Sequence, residues 1–291
     1  MGGDEPEFRL RTLGTLALYR RGEESPRIEG AKALGVVAYL ALTPDRRGRR
    51  PYVARLFWPD ADRGKRLRSL RQALYYVTDR AGRDLFRRGE GVLGLREHLL
   101  DVDLWAFDRA LEAGRYERVV DLYRGRFLEG FEAGVSRELE HWRESETDRI
   151  RSGVCVASRQ LVERKLEKGE PGAAVEYARR CRNLNPLDES ARKLVLHALV
   201  ADGREVEAHQ EYEQYATLLE EELGDTPSEE LEARARQVRE VLLESRAGAV
   251  DDASRDDLDL PPAGGGRRER ARKLLVGAGA VLVLAAAAWA R

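Results

Sequence analysis

The chain has 291 residues, 42% of them hydrophobic and 35% charged, which is room for two domains of ordinary size and suits a helix-rich protein with well-solvated surfaces. The formal net charge of −1 conceals a segregation: residues 1–88 carry 20 Lys/Arg against 11 Asp/Glu, residues 89–266 carry 25 against 40, and residues 267–291 carry 6 against 1. Only the first segment reads as meeting a polyanion, and the acidic middle is excluded from that role.

Cys155 and Cys181 form no C-x-x-C pair, and no N-terminal signal peptide is visible. Both points place the folded part in a reducing cytoplasm and argue against a structural disulfide. The histidines at 98, 141, 197 and 209 have no metal-ligand spacing, so neither a metal nor any other cofactor is expected.

In chain order, Phe8 to Tyr19 alternates and then breaks at Gly14, which predicts two short strands; Ser25 to Ile28 offers a third. Ala31 to Leu42 carries apolar residues at helical spacing and stops before Pro44. Pro51 suits the first turn of a second helix, Tyr52 to Phe57, and Asp60 or Asp62 can cap a third running over 63–79. Leu85 to Arg88 and Val92 to Leu95 flank Gly89-Glu90-Gly91 as a hairpin over 85–95. Strands, three helices and a hairpin, in that order, make an α+β winged helix-turn-helix with an N-terminal sheet over residues 7–101.

From Val102 to residue 245 the pattern is all-helical. A shift of 34 residues superposes Ala157 on Ala191, Gly169 on Gly203, Ala174 on Ala208, Cys181 on Tyr215 and Leu184 on Leu218, with a weaker copy around Gly114. Thirty-four is the tetratricopeptide period, which stacks helix pairs around a concave binding face. Residues 246–273 read as a flexible linker ending in a basic juxtamembrane run. Leu274 to Ala290, 17 uncharged residues, reads as a single transmembrane helix. The positive-inside rule would then hold the N-terminal domains in the cytoplasm, giving a single-pass protein of the cytoplasmic membrane.

On the third helix Leu67, Leu70, Leu74 and Val77 share the face turned to the core. The opposite face carries Lys65, Arg68, Ser69, Gln72 and Tyr76, flanked by Arg66 and Arg71. Arginine bonds guanine O6 and N7 in the major groove, and glutamine pairs with adenine. The flanking cations suit phosphates, which position without specifying. Arg87 and Arg88 on the hairpin, and Arg49 and Arg50 before helix two, extend the basic footprint; residues 46–88 hold 14 Lys/Arg against 4 acids.

The motifs LRTLGTLAL, AYLAL, ARLFWPDADRGKRLRSLRQALYYV, VDLWAFDRAL, YRGRFLEGF and NPLDESARKLVLHALVADGREVEAHQEYEQYATLLEEELGDTP follow one another from Phe8 to Arg239. In that order they resemble the bacterial transcriptional activator domain family of Streptomyces antibiotic regulatory proteins. The resemblance implies an OmpR-like winged helix and a tetratricopeptide-like domain, binding to direct repeats of double-stranded DNA and contact with RNA polymerase, with helix 63–79 as the recognition helix. It leaves open a homodimer and a protein or ligand partner for the helical repeats. Helix one is less basic at its start than the family pattern, and Gly64 is unfavourable by roughly 1 kcal/mol against Ala.

Neither a phosphate-binding G-x-x-x-x-G-K-[ST] run nor a nucleophile elbow is present. Asp101 and Asp103 read as strand-exit and N-cap residues of a helix over 104–112, and Glu138, Glu140 and His141 as solvent-facing, so no enzyme is expected. The expectation is a membrane-tethered DNA-binding activator. Its competitor is a membrane-attached helical-repeat adaptor that does not bind DNA.

Overall fold

The computed structural model describes residues 5–131 and 134–256, with side chains described as far as residue 244. Contacts divide the chain into two compact units, Met1–Ala157 and Ser158–Arg291.

The first unit opens with β1 (Phe8–Arg11), β2 (Ala17–Arg20) and β3 (Ile28–Glu29). These form an antiparallel meander that β7 (Leu100–Val102) completes by pairing in parallel with β1, giving the order β3-β2-β1-β7. Phe8, Leu10, Leu18 and Ile28 share one face and are buried, while Arg9, between Phe8 and Leu10, is exposed on the other. This is the alternation of a sheet with one face on a core.

Three helices follow: α1 (Lys32–Leu42), α2 (Arg50–Phe57) and α3 (Arg63–Ala81). Asp62 caps α3 by accepting from Lys65 N at 2.9 Å, and Gly82, left-handed at φ 71°, ends it. A second sheet has the order β4-β6-β5, with β4 (Arg47–Arg49), β5 (Phe86–Arg88) and β6 (Val92–Leu95). The expected hairpin is β5 and β6. Strand β4 occupies a stretch that the sequence pattern reads as loop.

The unit continues beyond Val102 with α4 (Asp103–Glu112), α5 (Tyr116–Leu122) and the start of α6 (Arg137–Glu167). Asp103 is not the N-cap of α4, which is Val102. Its buried carboxylate instead accepts from Thr12 N at 2.8 Å, Leu13 N at 3.0 Å and Thr12 Oγ1 at 2.6 Å, tying α4 to the end of β1. Burial pushes the Asp103 carboxyl above the usual range, against the lowering effect of those donors.

The stretch after α5 lies along the β1–β2 turn: Gly14 N donates to Arg126 O at 3.1 Å, Leu128 N to Thr12 O at 2.9 Å and Leu16 N to Glu129 O at 2.9 Å. Phe131 then enters a notch over Gly35, where a β-carbon would lie 2.2 Å from its ring. Its ring stands 6.1 Å from that of Phe57, and Trp142 of α6 stands 5.1 Å from Tyr39 and 5.8 Å from Phe127. Edge contacts of this kind add about 0.5–1.5 kcal/mol each beyond area burial. Residues 103–157 thus share a core with the winged helix, across the boundary expected at 101.

The second unit is all-helical, from the end of α6 through α7 (Pro171–Leu184), α8 (Glu189–Ala201), α9 (Glu205–Leu223) and α10 (Glu229–Asp256). Small residues Ala174, Ala178, Ala198 and Ala208 meet Val162, Val175, Val195, Leu199 and Val238 in its core. The repeat has a structural signature. Gly169 N bonds Leu166 O and Glu170 N bonds Lys165 O; 34 residues on, Gly203 N bonds Val200 O and Arg204 N bonds Leu199 O. Both glycines are left-handed, at φ 71° and 69°. Gly114 in the first unit makes the same turn at φ 63°, with Gly114 N on Leu111 O and Arg115 N on Ala110 O. The architecture is an α+β winged helix followed by a tetratricopeptide-like all-α region, and α10 carries on past 245, where the linker was expected to start.

The membrane expectation is corrected. Among the described residues no helix is long and apolar enough to cross a membrane. The span expected over 274–290 lies outside the described residues. Its composition is a poor basis for one, since 17 residues rich in Ala and Gly fall short of the ~20 apolar residues that a spanning helix uses and supply little insertion energy. The transmembrane helix in the fold class, the tether, the membrane as partner and the membrane localisation are withdrawn together. A second correction concerns the cysteines: neither Cys155 nor Cys181 is a free thiol.

Candidate nucleic-acid interface

Helix α3 buries Leu70, Ala73, Leu74, Val77 and Ala81, with Leu67 half-buried beside them. The turns between these positions put Lys65, Arg68, Arg71, Gln72, Tyr75 and Tyr76 in solvent. Lys65 makes an exposed ion pair with Asp62 at 3.4 Å, of the kind that contributes little. Arg68, Arg71 and Gln72 have no hydrogen-bond or ion-pair partner among the described residues.

Two residues, Ser69 expected on this face and Arg66 expected at its flank, are less open than the sequence pattern predicts. Arg66 lies on the core side, half-buried, where Nε donates to Trp58 O at 3.0 Å and Nη2 to Pro59 O. It fastens the turn between α2 and α3. Ser69 is half-buried at the flank.

The three-stranded sheet sorts the remaining cations by face. In the antiparallel register Arg47 and Arg87 both pair with Gly94, from opposite sides, and Arg49 pairs with Val92. Paired residues point to the same face, so Arg47, Arg49 and Arg87 line the outer side of the wing. Gly94 has no side chain to crowd them: a β-carbon there would lie 3.4 Å from Arg47 Cβ and 3.9 Å from Arg87 Cβ. All three guanidiniums are exposed, without a hydrogen-bond or ion-pair partner among the described residues. Arg88 shares the inner face with Leu93, and its Nη2 reaches Asp84 Oδ1 at 3.4 Å. Arg50, whose amide donates to Gly91 O at 2.9 Å, joins Arg71 and Arg88 around a cleft of about 650 Å³ between α3 and the wing.

Arg47 was missed from sequence, as was Tyr75, which is 70% exposed. Summed helical angles could have found Tyr75; nothing in Arg-Arg-Gly-Arg-Arg announces a strand that would sort Arg47 from Arg46. Arg46, left-handed at φ 50°, turns away, stacks 4.5 Å from the Trp105 ring and pairs with Glu97 at 3.4 Å.

Glu138 accepts from Tyr52 Oη at 2.7 Å and Arg55 Nη2 at 2.9 Å. The bond to Glu138 is the first cause holding the Tyr52 phenol up at about 12. These groups serve the junction of α2 with α6. Among the described residues no group of three or more His, Cys, Asp or Glu side chains could hold a metal ion.

The family comparison concerns the region that follows this surface in the chain. The profile of the bacterial transcriptional activator domain matches residues 102–239. Over those residues the chain is similar to a bacterial transcriptional activator domain. Such a domain is a regulatory module and not an enzyme. No curated protein sequence matches the chain. Among solved structures it is similar to Mycobacterium tuberculosis EmbR, in a complex with a low-affinity phosphopeptide, at 17% identity and a TM-score of 0.57 over 86% of this chain and 72% of that one. At that identity the likeness is one of fold alone.

Proposed function

We propose that this activator-domain protein is a sequence-specific transcription regulator, an activator, which lays α3 into the major groove of double-stranded DNA and rests the wing on the backbone or in the minor groove. The observation that carries the proposal is that Arg47, Arg49, Arg68, Arg71 and Arg87, on one winged helix, have no hydrogen-bond or ion-pair partner among the described residues. A solvated basic surface is common, but these cations flank a helix whose leucines grip the core. Gln72 beside Arg68 adds an amide suited to adenine. Lys65 and Tyr76 belong to the same helix face, and Arg50 and Arg88 to the cleft, where they suit phosphates. Direct-repeat sites, a second copy of the chain, RNA polymerase and a partner for the helical repeats belong to the same proposal.

A gel-shift titration of the full chain across salt concentrations tests it. Each phosphate neutralised adds about −0.9 to the slope of log K against log salt. A steep slope with a preferred sequence is the expected result. Binding that is weak at low salt and indifferent to salt overturns the proposal.

A further inference from the structure

Tyr75 is the most exposed large hydrophobic residue among those described, at 70%, and its phenol has no hydrogen-bond partner among the described residues. Tyrosine is amphipathic, and a ring left open to water on a helix that buries its other face forgoes apolar burial that a packed position would supply. Its place is specific. Steps of 100° set Arg68, Gln72 and Tyr75 within a sector of about 60° centred on the side of α3 opposite its buried residues. Arg68 and Tyr75 lie two turns apart on nearly the same line, with Gln72 between them. The ring also forms part of the lip of the cleft that Arg50, Arg71 and Arg88 make basic. Cations on either side suit phosphates; an uncharged ring on the line between them suits what lies between phosphates, the base edges.

The polar and charged groups on that line read hydrogen-bond patterns. An aromatic ring reads the other signal that the major groove offers, the C5-methyl group of thymine, which only an apolar surface can recognise. Tyr76, at 39% exposed and with Arg80 stacked 5.9 Å away, stands about 100° further round α3, at the edge of this face. Resting on the reading of α3 as the helix in the groove, we infer that Tyr75 is a specificity-determining residue that packs against a thymine methyl at one position of the DNA site.

The experiment uses the full chain. A random duplex library is enriched on the wild-type protein, and each thymine of the preferred duplex is replaced singly by deoxyuridine, which deletes only the methyl. Wild type is expected to lose about fourfold in affinity at one position, the fold-change for one methylene-sized burial of about 0.8 kcal/mol. Tyr75→Ala should bind the parent duplex more weakly and be indifferent to deoxyuridine at that position, whereas Tyr75→Phe should keep the methyl dependence. Tyr75 is exposed, so neither variant should disturb folding. If wild type and Tyr75→Ala respond alike at every thymine, the assignment of Tyr75 is overturned while groove binding by α3 stands. If the wild type enriches no duplex, the DNA-binding reading falls and the assignment with it.

Discussion

Arg66 and Arg68 stand two positions apart on α3 and do different work. Arg66 bonds the carbonyls of Trp58 and Pro59, so Arg66→Ala should lower the melting temperature with base preference retained. Arg68→Ala and Gln72→Ala should leave the melting temperature in place and relax preference by about 1–3 kcal/mol each, read from affinities for single-base variants of the site. Arg87→Ala, on the outer side of the wing, should weaken binding to all sequences alike and flatten the salt slope by about one phosphate's worth. Gly35 makes a different kind of prediction. Because Phe131 occupies the space of its missing side chain, Gly35→Ala forces a buried ring to move and should cost about 1–3 kcal/mol in a urea titration.

At the scale of elements, the repeated turn is where backbone and sequence coincide. A β-carbon on Gly169 or Gly203 would meet nothing within 4 Å, so the objection to alanine there is conformational and not one of space. A left-handed non-glycine residue costs about 1–2 kcal/mol, and Gly169→Ala and Gly203→Ala should each destabilise by that amount in denaturant melts. The glycine period was legible in sequence for the same reason: only glycine fits the turn cheaply, so the chain must repeat it. The three helices of the winged helix were legible from their leucine spacing and their Pro and Asp boundaries. Strand β4 was not, because its residues alternate charge with glycine and it is held by partners on β6 some 45 residues downstream. Arg66 escaped for a related reason, since a side chain reaching back to two carbonyls leaves no periodic trace. Tyr75 needed only a finer reading of helical angle.

For the whole molecule, burial of one histidine makes the stability of the second unit depend on pH. Burial holds the half-buried His197 imidazole below its ordinary pKa, and the Arg234 charge adds to the effect. The folded form therefore stays neutral where the unfolded form, near pKa 6.5, takes up a proton. Between those two values the unfolded state binds more protons, so the contribution is complete above pH 6.5 and is lost as pH falls below it. Urea midpoints of wild type should drop more steeply from pH 7.5 to 5.5 than those of His197→Gln, and parallel profiles would refute this.

The docking of Phe127, Phe131 and Trp142 on the N-terminal fold has a practical consequence. A fragment ended at Val102 would strip Thr12 and Leu13 of the carboxylate that receives their amides, empty the notch over Gly35, and leave Tyr39 and Phe57 facing water. A fragment meant to hold the N-terminal fold intact should therefore run on through the opening helices that follow Val102, so that their side chains keep its core closed.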